Sequence, residues 1–510
     1  MASAVLAIVA MLAATGCAAD PGGPAPVGTT ATRQVPEQPF GLKWDGYQHP
    51  PKYDADIEAY GGGGTFHELV WCAIEARQGE RYWDLDDRVV DGLLSYGYRV
   101  MLRIRVGTCW ANGRPAAGRP RIAVSYPPAD IAAYQAFVRD AVIRYAARGV
   151  HMYGIENEID ARNMWGGDPL AYRDVGRAGA EAVRRADPLA RLLDVGLTSG
   201  SYGVVVARTM LDAGRTDRAL AFYRAFYARG DGRFPPAATA GELRAVIDSP
   251  AGRRATAAHA AAFELDRAGV FDAYQLHYYD SWAALPEVVD YIRAQAGPAM
   301  PIEGWEVGSY WPGGDYDPVA HGAEVAKLVT ILLARGVKRV VYLPLFYRPG
   351  VVVSEEHWRG LYGVDDVARP AKTVFDQFRK RFPAGVWHRL TLPGLDGGLV
   401  DQGATTAVVM WSAGGGTVSL SPPAGATAGR TARETAGETA GATARKTAGK
   451  TAGETAGETA GETAGETTVT DLPDGRSRTW PGGTLEVGAT PVIVTVPAPL
   501  ADTLRWLEPT

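Results

Sequence analysis

The chain has 510 residues, of which 21% are charged and 46% apolar, a soluble globular balance long enough for two to four domains. Fifty-two Lys and Arg against 57 Asp and Glu leave a formal charge of −5, which argues against nucleic acid as a partner, because such binders carry a basic face or tail. Three cysteines are too few for a disulfide scaffold, and with no CxxC pair they give no reason to expect a structural zinc or any other metal or cofactor.

The N-terminus opens with an apolar run, Ala2 to Ala14, too short to span a bilayer and of the length of a signal-peptide core. It leads into Ala14-Thr15-Gly16-Cys17, which resembles a bacterial lipobox. That resemblance implies a signal over residues 1–17, lipidation of Cys17 and an extracytoplasmic protein held at the membrane, with plain secretion as the alternative. Residues 18–38, rich in Pro, Gly, Ala and Thr, read as a flexible tether.

From residue 40 to 382 one unit recurs: an amphipathic helix closed by Gly, then a short apolar strand. Leu85, Val89, Val90, Leu93 and Leu94 share a helix face before Gly97 and the strand beginning Tyr98-Arg-Val-Met-Leu. Ile131, Tyr134, Val138, Ala141, Val142 and Tyr145 do so before Gly149 and Val150-His-Met-Tyr-Gly-Ile. Helical spacing, a C-terminal Gly and a strand apolar on both faces is the pattern of parallel βα units. Strands are expected near 40–46, 65–71, 98–106, 150–156, 191–197, 271–278, 300–306 and 337–345. Eight such units over 39–383 predict a (β/α)8 TIM barrel, with a helical insertion at 200–268 as a lid or subdomain. Gly61-Gly-Gly-Gly64 precedes a strand instead of linking strand to helix, so the phosphate loop of a doubly wound sheet is missing.

After residue 384 the pattern changes to short alternating strands separated by Gly and Pro, which predicts a small antiparallel β-sandwich over 384–510. A Thr-Ala-Gly-Glu tetrad repeat at 427–466 interrupts it. Without large apolar residues the repeat cannot offset the entropy of ordering, and it reads as a disordered expansion in a surface loop.

Barrel chemistry sits where strands end and βα loops begin. The fourth strand ends Gly154-Ile-Glu-Asn157-Glu158, the sixth Gln275-Leu-His277-Tyr-Tyr279, and the seventh Pro301-Ile-Glu-Gly-Trp-Glu306-Val-Gly308. Carboxylates on strands four and seven face each other across a barrel mouth, and a facing pair is what glycoside hydrolysis requires. These motifs resemble the retaining glycoside hydrolases of clan A. The resemblance implies Glu158 as acid/base, Glu306 as nucleophile, Asn157 on the sugar 2-hydroxyl, and His277 and Tyr279 orienting the nucleophile, with a carbohydrate as substrate. Trp71-Cys-Ala-Ile-Glu75 and Gly360-Leu-Tyr-Gly-Val-Asp-Asp with Arg369 are further matches. Two features of the clan are replaced: the Trp before Asn-Glu is Glu156, and the expected Arg on strand two gives way to the His67-Glu68 region. Strand alternation predicts that Glu303 faces away from Glu306, while Glu156 shares the barrel side with Glu158 as a substrate ligand or a salt-bridge partner. Trp165, Trp282 and Trp311 follow strand ends and could stack on sugar faces or serve as packing. Cys72 and Cys109, near the ends of adjacent strands, form either a disulfide or two buried thiols. The alternative to the enzyme is a carbohydrate-binding surface lipoprotein that uses the barrel without catalysis.

Overall fold

A computed structural model describes residues 35–44, 49–228, 234–311, 316–347, 358–420, 466–480 and 483–507. The lipobox-like segment with Cys17, most of the tether and nearly all of the tetrad repeat lie outside them. Eight parallel strands run in chain order: β1 Phe40–Leu42, β2 Gly64–Val70, β3 Arg99–Arg105, β4 Met152–Ile155, β5 Arg191–Leu193, β6 Tyr274–Tyr278, β7 Ile302–Val307 and β8 Val340–Tyr342. They pair as β1-β8-β7-β6 and β2-β3-β4-β5. Bridges Leu193↔Ala273 and Leu197↔Leu276 join β5 to β6. At the other seam, β1 meets β2 through glycines: a Cβ on Gly41 would sit 2.0 Å from the Gly64 carbonyl oxygen, and one on Gly63 would sit 1.8 Å from that of Phe40. The glycine run therefore serves the closure of the barrel. Phe66, Met101, Leu193, Ala273, Trp305 and Val341 make one buried cluster drawn from the strands, which fills the interior as packed barrels require.

The helices are α1 Asp54–Ala59, α2 Trp71–Ile74, α3 Asp84–Ser95, α4 Ile131–Ala146, α5 Tyr172–Ala186, α6 Ser199–Asp212, α7 Thr216–Phe226, α8 Ala240–Ile247, α9 Pro250–Arg267, α10 Leu285–Ala296, α11 Pro318–Ala334, α12 Pro370–Arg381 and the terminal α13 Leu500–Leu507. Their ends follow capping chemistry. Asp130 accepts from Ala132 and Ala133 N–H to start α4, Asp317 caps α11 in the same way, and Thr239 and Glu242 form a capping box on α8. The insertion comprises α6 to α9, and α9 packs against both α5 and α10, as the barrel helix after β5 must. Among the described residues no helix is long and apolar enough to cross a membrane.

The C-terminal strands are β9 Val386–Leu392, β10 Leu395–Asp401, β11 Thr406–Ser412, β12 Val418–Leu420, β13 Thr468–Asp471, β14 Ser477–Thr479, β15 Leu485–Val487 and β16 Val492–Val496. Six form an antiparallel sheet in the order β14-β13-β16-β11-β10-β9, and β12 pairs with β15 as a ribbon. Both faces of the sheet are covered. Val400, Ala407, Val409, Trp411 and Ile493 join the main barrel core, while Leu399, Val408, Met410 and Val494 join a second core with Leu420, Leu485 and Val487 of the ribbon. This double cover makes β11 buried at every position. The sandwich is thus one full sheet with a small second layer.

Cys72 of α2 and Cys109 beyond β3 are disulfide-bonded, with Cα atoms 5.5 Å apart and a sequence separation of 37. A loop of that size is worth about 4 kcal/mol on the chain-entropy account. The Cys72→Ala/Cys109→Ala protein should accordingly melt several degrees lower in calorimetry, and an unchanged melting temperature would show that the bond constrains nothing.

Candidate active site

The two carboxylates meet at the C-terminal ends of the strands. Glu158 leaves β4 in the left-handed backbone region, with φ of 45°, two residues after Glu156 with φ of 64°. Side chains other than Gly and Asn rarely hold that conformation except at functional turns. Glu306 lies near the end of β7. A carboxylate oxygen of each and a ring nitrogen of His277 all lie within 4.8 Å of one another, and the two side chains are only 13% and 10% exposed.

Glu306 is enclosed by donors. Arg103 Nη1 on β3 donates to Oε1 at 2.7 Å and the Tyr279 hydroxyl donates to Oε2 at 2.8 Å, with His277 Nε2 3.6 Å from Oε1. Burial alone would raise its pKa, but His277, the Arg103 charge and the bonds from Arg103 and Tyr279 outweigh it and hold the carboxyl well below its usual range. The Glu158 carboxyl pairs with His277, whose Nδ1 lies 2.9 Å from Oε1. Burial raises its pKa, the bond to His277 opposes that, and the charge of Glu306 raises it further. One carboxyl is thus biased towards the anion and its neighbour towards the acid.

The cavity above them is about 710 Å³ and is lined among others by Asp160, Arg162, Ser199, Arg254, Tyr310 and Arg359. The insertion forms one wall through Ser199 and Gly200 of α6 and Ala251 and Arg254 of α9. Ser199 Oγ accepts from the Tyr279 N–H at 2.8 Å and donates to Asp280 at 2.5 Å, and the Arg359 guanidinium lies 4.0 Å from the Tyr279 ring centre. The insertion thereby fixes the loop after β6.

The sequence expectations fare unequally. Glu158, His277, Tyr279 and Glu306 come together. Asn157 is buried, with no hydrogen-bond partner at Oδ1, and does not line the cavity. Of the three tryptophans, none lines it either. Trp165 is fully buried, donates to the Asp168 carbonyl at 3.0 Å and meets Tyr172 edge-on. Trp282 packs edge-on against Trp411 of β11 with the Lys327 ammonium 4.7 Å away, and Trp311 packs against Tyr316 and His321. All three are packing residues.

A β-bulge in β7 overturns simple alternation between Glu303 and Glu306. Gln275 pairs with Glu303 and Leu276 with Gly304, but His277 pairs with Glu306, so the register skips Trp305. The extra residue returns Glu306 to the interior side. Glu303 points inward as well, paired with Arg191 at 2.6 Å and bonded to the Trp305 indole. Glu156 proves structural: it accepts from the Val106 N–H at 2.7 Å, stands 4.0 Å from Arg105 and is pushed up to about 7 by burial. Arg103 and Gln275 went unread. Their signal is a charged or amide side chain on the inward parity of a buried strand, Arg103 with Met101 and Gln275 with His277.

A family 39 glycoside hydrolase from the gut symbiont Bacteroides cellulosilyticus WH2 superposes on the chain with a TM-score of 0.53 at 13% identity, covering 90% of this chain and 81% of that one. A glucosidase from Croceicoccus marinus (TM-score 0.49, 13% identity, 91% and 95% covered) and a family 39 β-xylosidase from Caulobacter crescentus (0.48, 12%, 91% and 98%) are also similar. No protein-family model matches the chain, and no curated protein matches it in sequence. The first of these superpositions shows the fold: a TIM barrel followed by an antiparallel β-domain.

Proposed function

We propose that the protein is a retaining glycoside hydrolase that cleaves O-glycosidic bonds of an oligo- or polysaccharide by double displacement. The observation that carries this reading is the carboxylate pair, two oxygens within 4.8 Å in environments that drive the protons apart. Retaining enzymes hold the carboxyl groups about 5–5.5 Å apart, inverting ones about 6.5–9.5 Å, to admit a water. Glu306, anionic and held by Arg103 and Tyr279, attacks the anomeric carbon while Glu158 protonates the departing oxygen. Water, deprotonated by Glu158, then releases the sugar from Glu306. The similarity of fold to glycoside hydrolases supports the reading without carrying it. NMR of the first-formed product of an aryl glycoside should show retained anomeric configuration. Inverted product would overturn the mechanism, and glycan binding without turnover of any bound sugar would favour a binding protein.

We propose further that the protein lies outside the cytoplasm, tethered through a lipid on Cys17, with plain secretion as the alternative. The Cys72–Cys109 disulfide supports an oxidising compartment. Cys17→Ala should move the protein from the membrane fraction to the soluble one with specific activity unchanged, and undiminished membrane retention would count against the lipid.

A further inference from the structure

His277 stands between the two carboxylates, and its hydrogen bonds are fixed by groups that have no choice of role. Gln275 Nε2 lies 2.7 Å from the main-chain carbonyl of Asp194, which only accepts. Gln275 Oε1 lies 2.6 Å from Arg103 Nη2, which only donates. The two contacts agree on one orientation of the amide, with its oxygen towards the histidine. That oxygen is 3.1 Å from His277 Nε2, and the next acceptor, Glu306 Oε1, is 3.6 Å away. Both favour a proton on Nε2. The competing arrangement leaves a lone pair on Nε2 facing Arg103 Nη2 at 3.3 Å, a longer contact than the one that Arg103 already makes to Gln275. The ring cannot swing away, because Gly196 lies against it: a Cβ there would be 2.4 Å from Nε2. Gln275 and His277 are fully buried, so water does not arbitrate.

We infer that Gln275 is a positioning residue that locks a proton on His277 Nε2, so that His277 Nδ1 and Glu158 Oε1, 2.9 Å apart, share a single further proton. When His277 is neutral, its Nδ1 lone pair obliges Glu158 to be the donor, which is the acid form that the first step consumes. The proton passes from Glu158 to the glycosidic oxygen as the C–O bond breaks, and the proton abstracted from water in the second step restores it. The catalytic consequence rests on the glycosidase reading, whereas the tautomer does not. The charged and titratable groups facing the pair are Arg103 and Arg105 from β3, Asp160 from the loop after β4, Asp194 just past β5, Tyr279 beyond β6 and Glu306 from β7.

The tautomer is read first, by ¹⁵N NMR of the full chain labelled at histidine, with the His277 signals identified by their loss in His277→Asn. Nε2 should show a directly bonded proton. An unprotonated Nε2 would overturn the inference. Kinetics of Gln275→Met, which removes the acceptor at similar volume, form the second arm. The Nε2 lone pair could then turn to Arg103, and the Nδ1 proton would hold Glu158 as the anion. For glycosides with poor leaving groups kcat/KM should fall about 10- to 100-fold, for dinitrophenyl glycosides by less than about twofold, and the alkaline limb should move down by about one pH unit. Gln275→Glu, which keeps an oxygen there, should restore the Nε2 proton and move that limb upward. An equal loss for all leaving groups, or an alkaline limb that stays in place, would reduce Gln275 to packing. If the wild-type chain turned over no glycoside, the glycosidase reading would fail while the NMR arm still decided the tautomer.

Discussion

Replacing Glu306 by Ala should lower turnover by about 10⁴-fold or more for every substrate, because no other described carboxylate stands where the nucleophile must. Glu158 offers the better comparison. Glu158→Ala should cost about 10²- to 10⁴-fold on substrates whose departing oxygen needs a proton, and little in the first step on dinitrophenyl glycosides, whose leaving group departs as the anion. The second step would then stall, since water loses its base. Azide, which needs no base, fits the space left by the side chain and should restore turnover of the dinitrophenyl glycoside, giving a glycosyl azide of retained configuration. The same treatment of Glu306→Ala should give no retained azide, because no covalent intermediate forms for azide to intercept. A Glu158→Ala enzyme as impaired on activated as on unactivated substrates would remove Glu158 from the acid/base role. The roles would be exchanged if azide rescued Glu306→Ala with retention.

The barrel was legible because its signals repeat. Most units end a helix on Gly, α5 with its Asp187 cap being an exception, and all eight expected strands overlap observed ones. In the C-terminal domain, β10 escaped notice because Gly397 and Gly398 interrupt it. Gly398 is small for a reason: a Cβ there would come within 3.0 Å of Thr330 on α11. The exposed β14 had no apolar pattern to find. At the site, the residues that could be read stand at strand ends in recognisable pairs, Asn157-Glu158 and His277-Tyr-Tyr279. What escaped depended on three-dimensional registration. The bulge at Trp305 defeats simple alternation, so the parity of Glu303 against Glu306 was misjudged. The tryptophans follow strand ends in sequence, yet Trp165 packs on Tyr172, Trp311 on Tyr316 and His321, and Trp282 on Trp411 of the C-terminal sheet. Arg103 sits mid-strand, one of three arginines at alternate positions of β3 with Arg99 and Arg105, and nothing in the sequence singles it out from the other two.

Arg103 carries the second large effect. Arg103 is almost wholly buried; its guanidinium lies 4.4 Å from the Phe66 ring centre and bonds Glu306, Gln275 and, at 3.4 Å, Glu68. It stands beside Glu306 from β3, whereas an Arg was expected from the sequence on β2. On the proposed mechanism Glu306 must be ionised to attack, and its depressed pKa means that the rate should persist below the ordinary carboxylate range before the acid limb appears. Glu158 must be protonated, and its raised pKa places the alkaline limb above that range, so the profile should be a broad bell. Arg103→Met removes one of the influences that hold Glu306 down and leaves burial, which raises it, less opposed. The acid limb should then move to higher pH, by about one unit or more, and kcat/KM at the optimum should fall by about 10²-fold. Loss of a buried partner also costs about 3–5 kcal/mol of stability, so activity must be expressed per folded molecule, counted by trapping with an activated fluoro-glycoside or by the unfolding transition. Arg103→Lys, which keeps the charge and loses the fork, should fall between the two. If Arg103 merely held the barrel together, the variants would melt earlier while the surviving enzyme kept the wild-type acid limb.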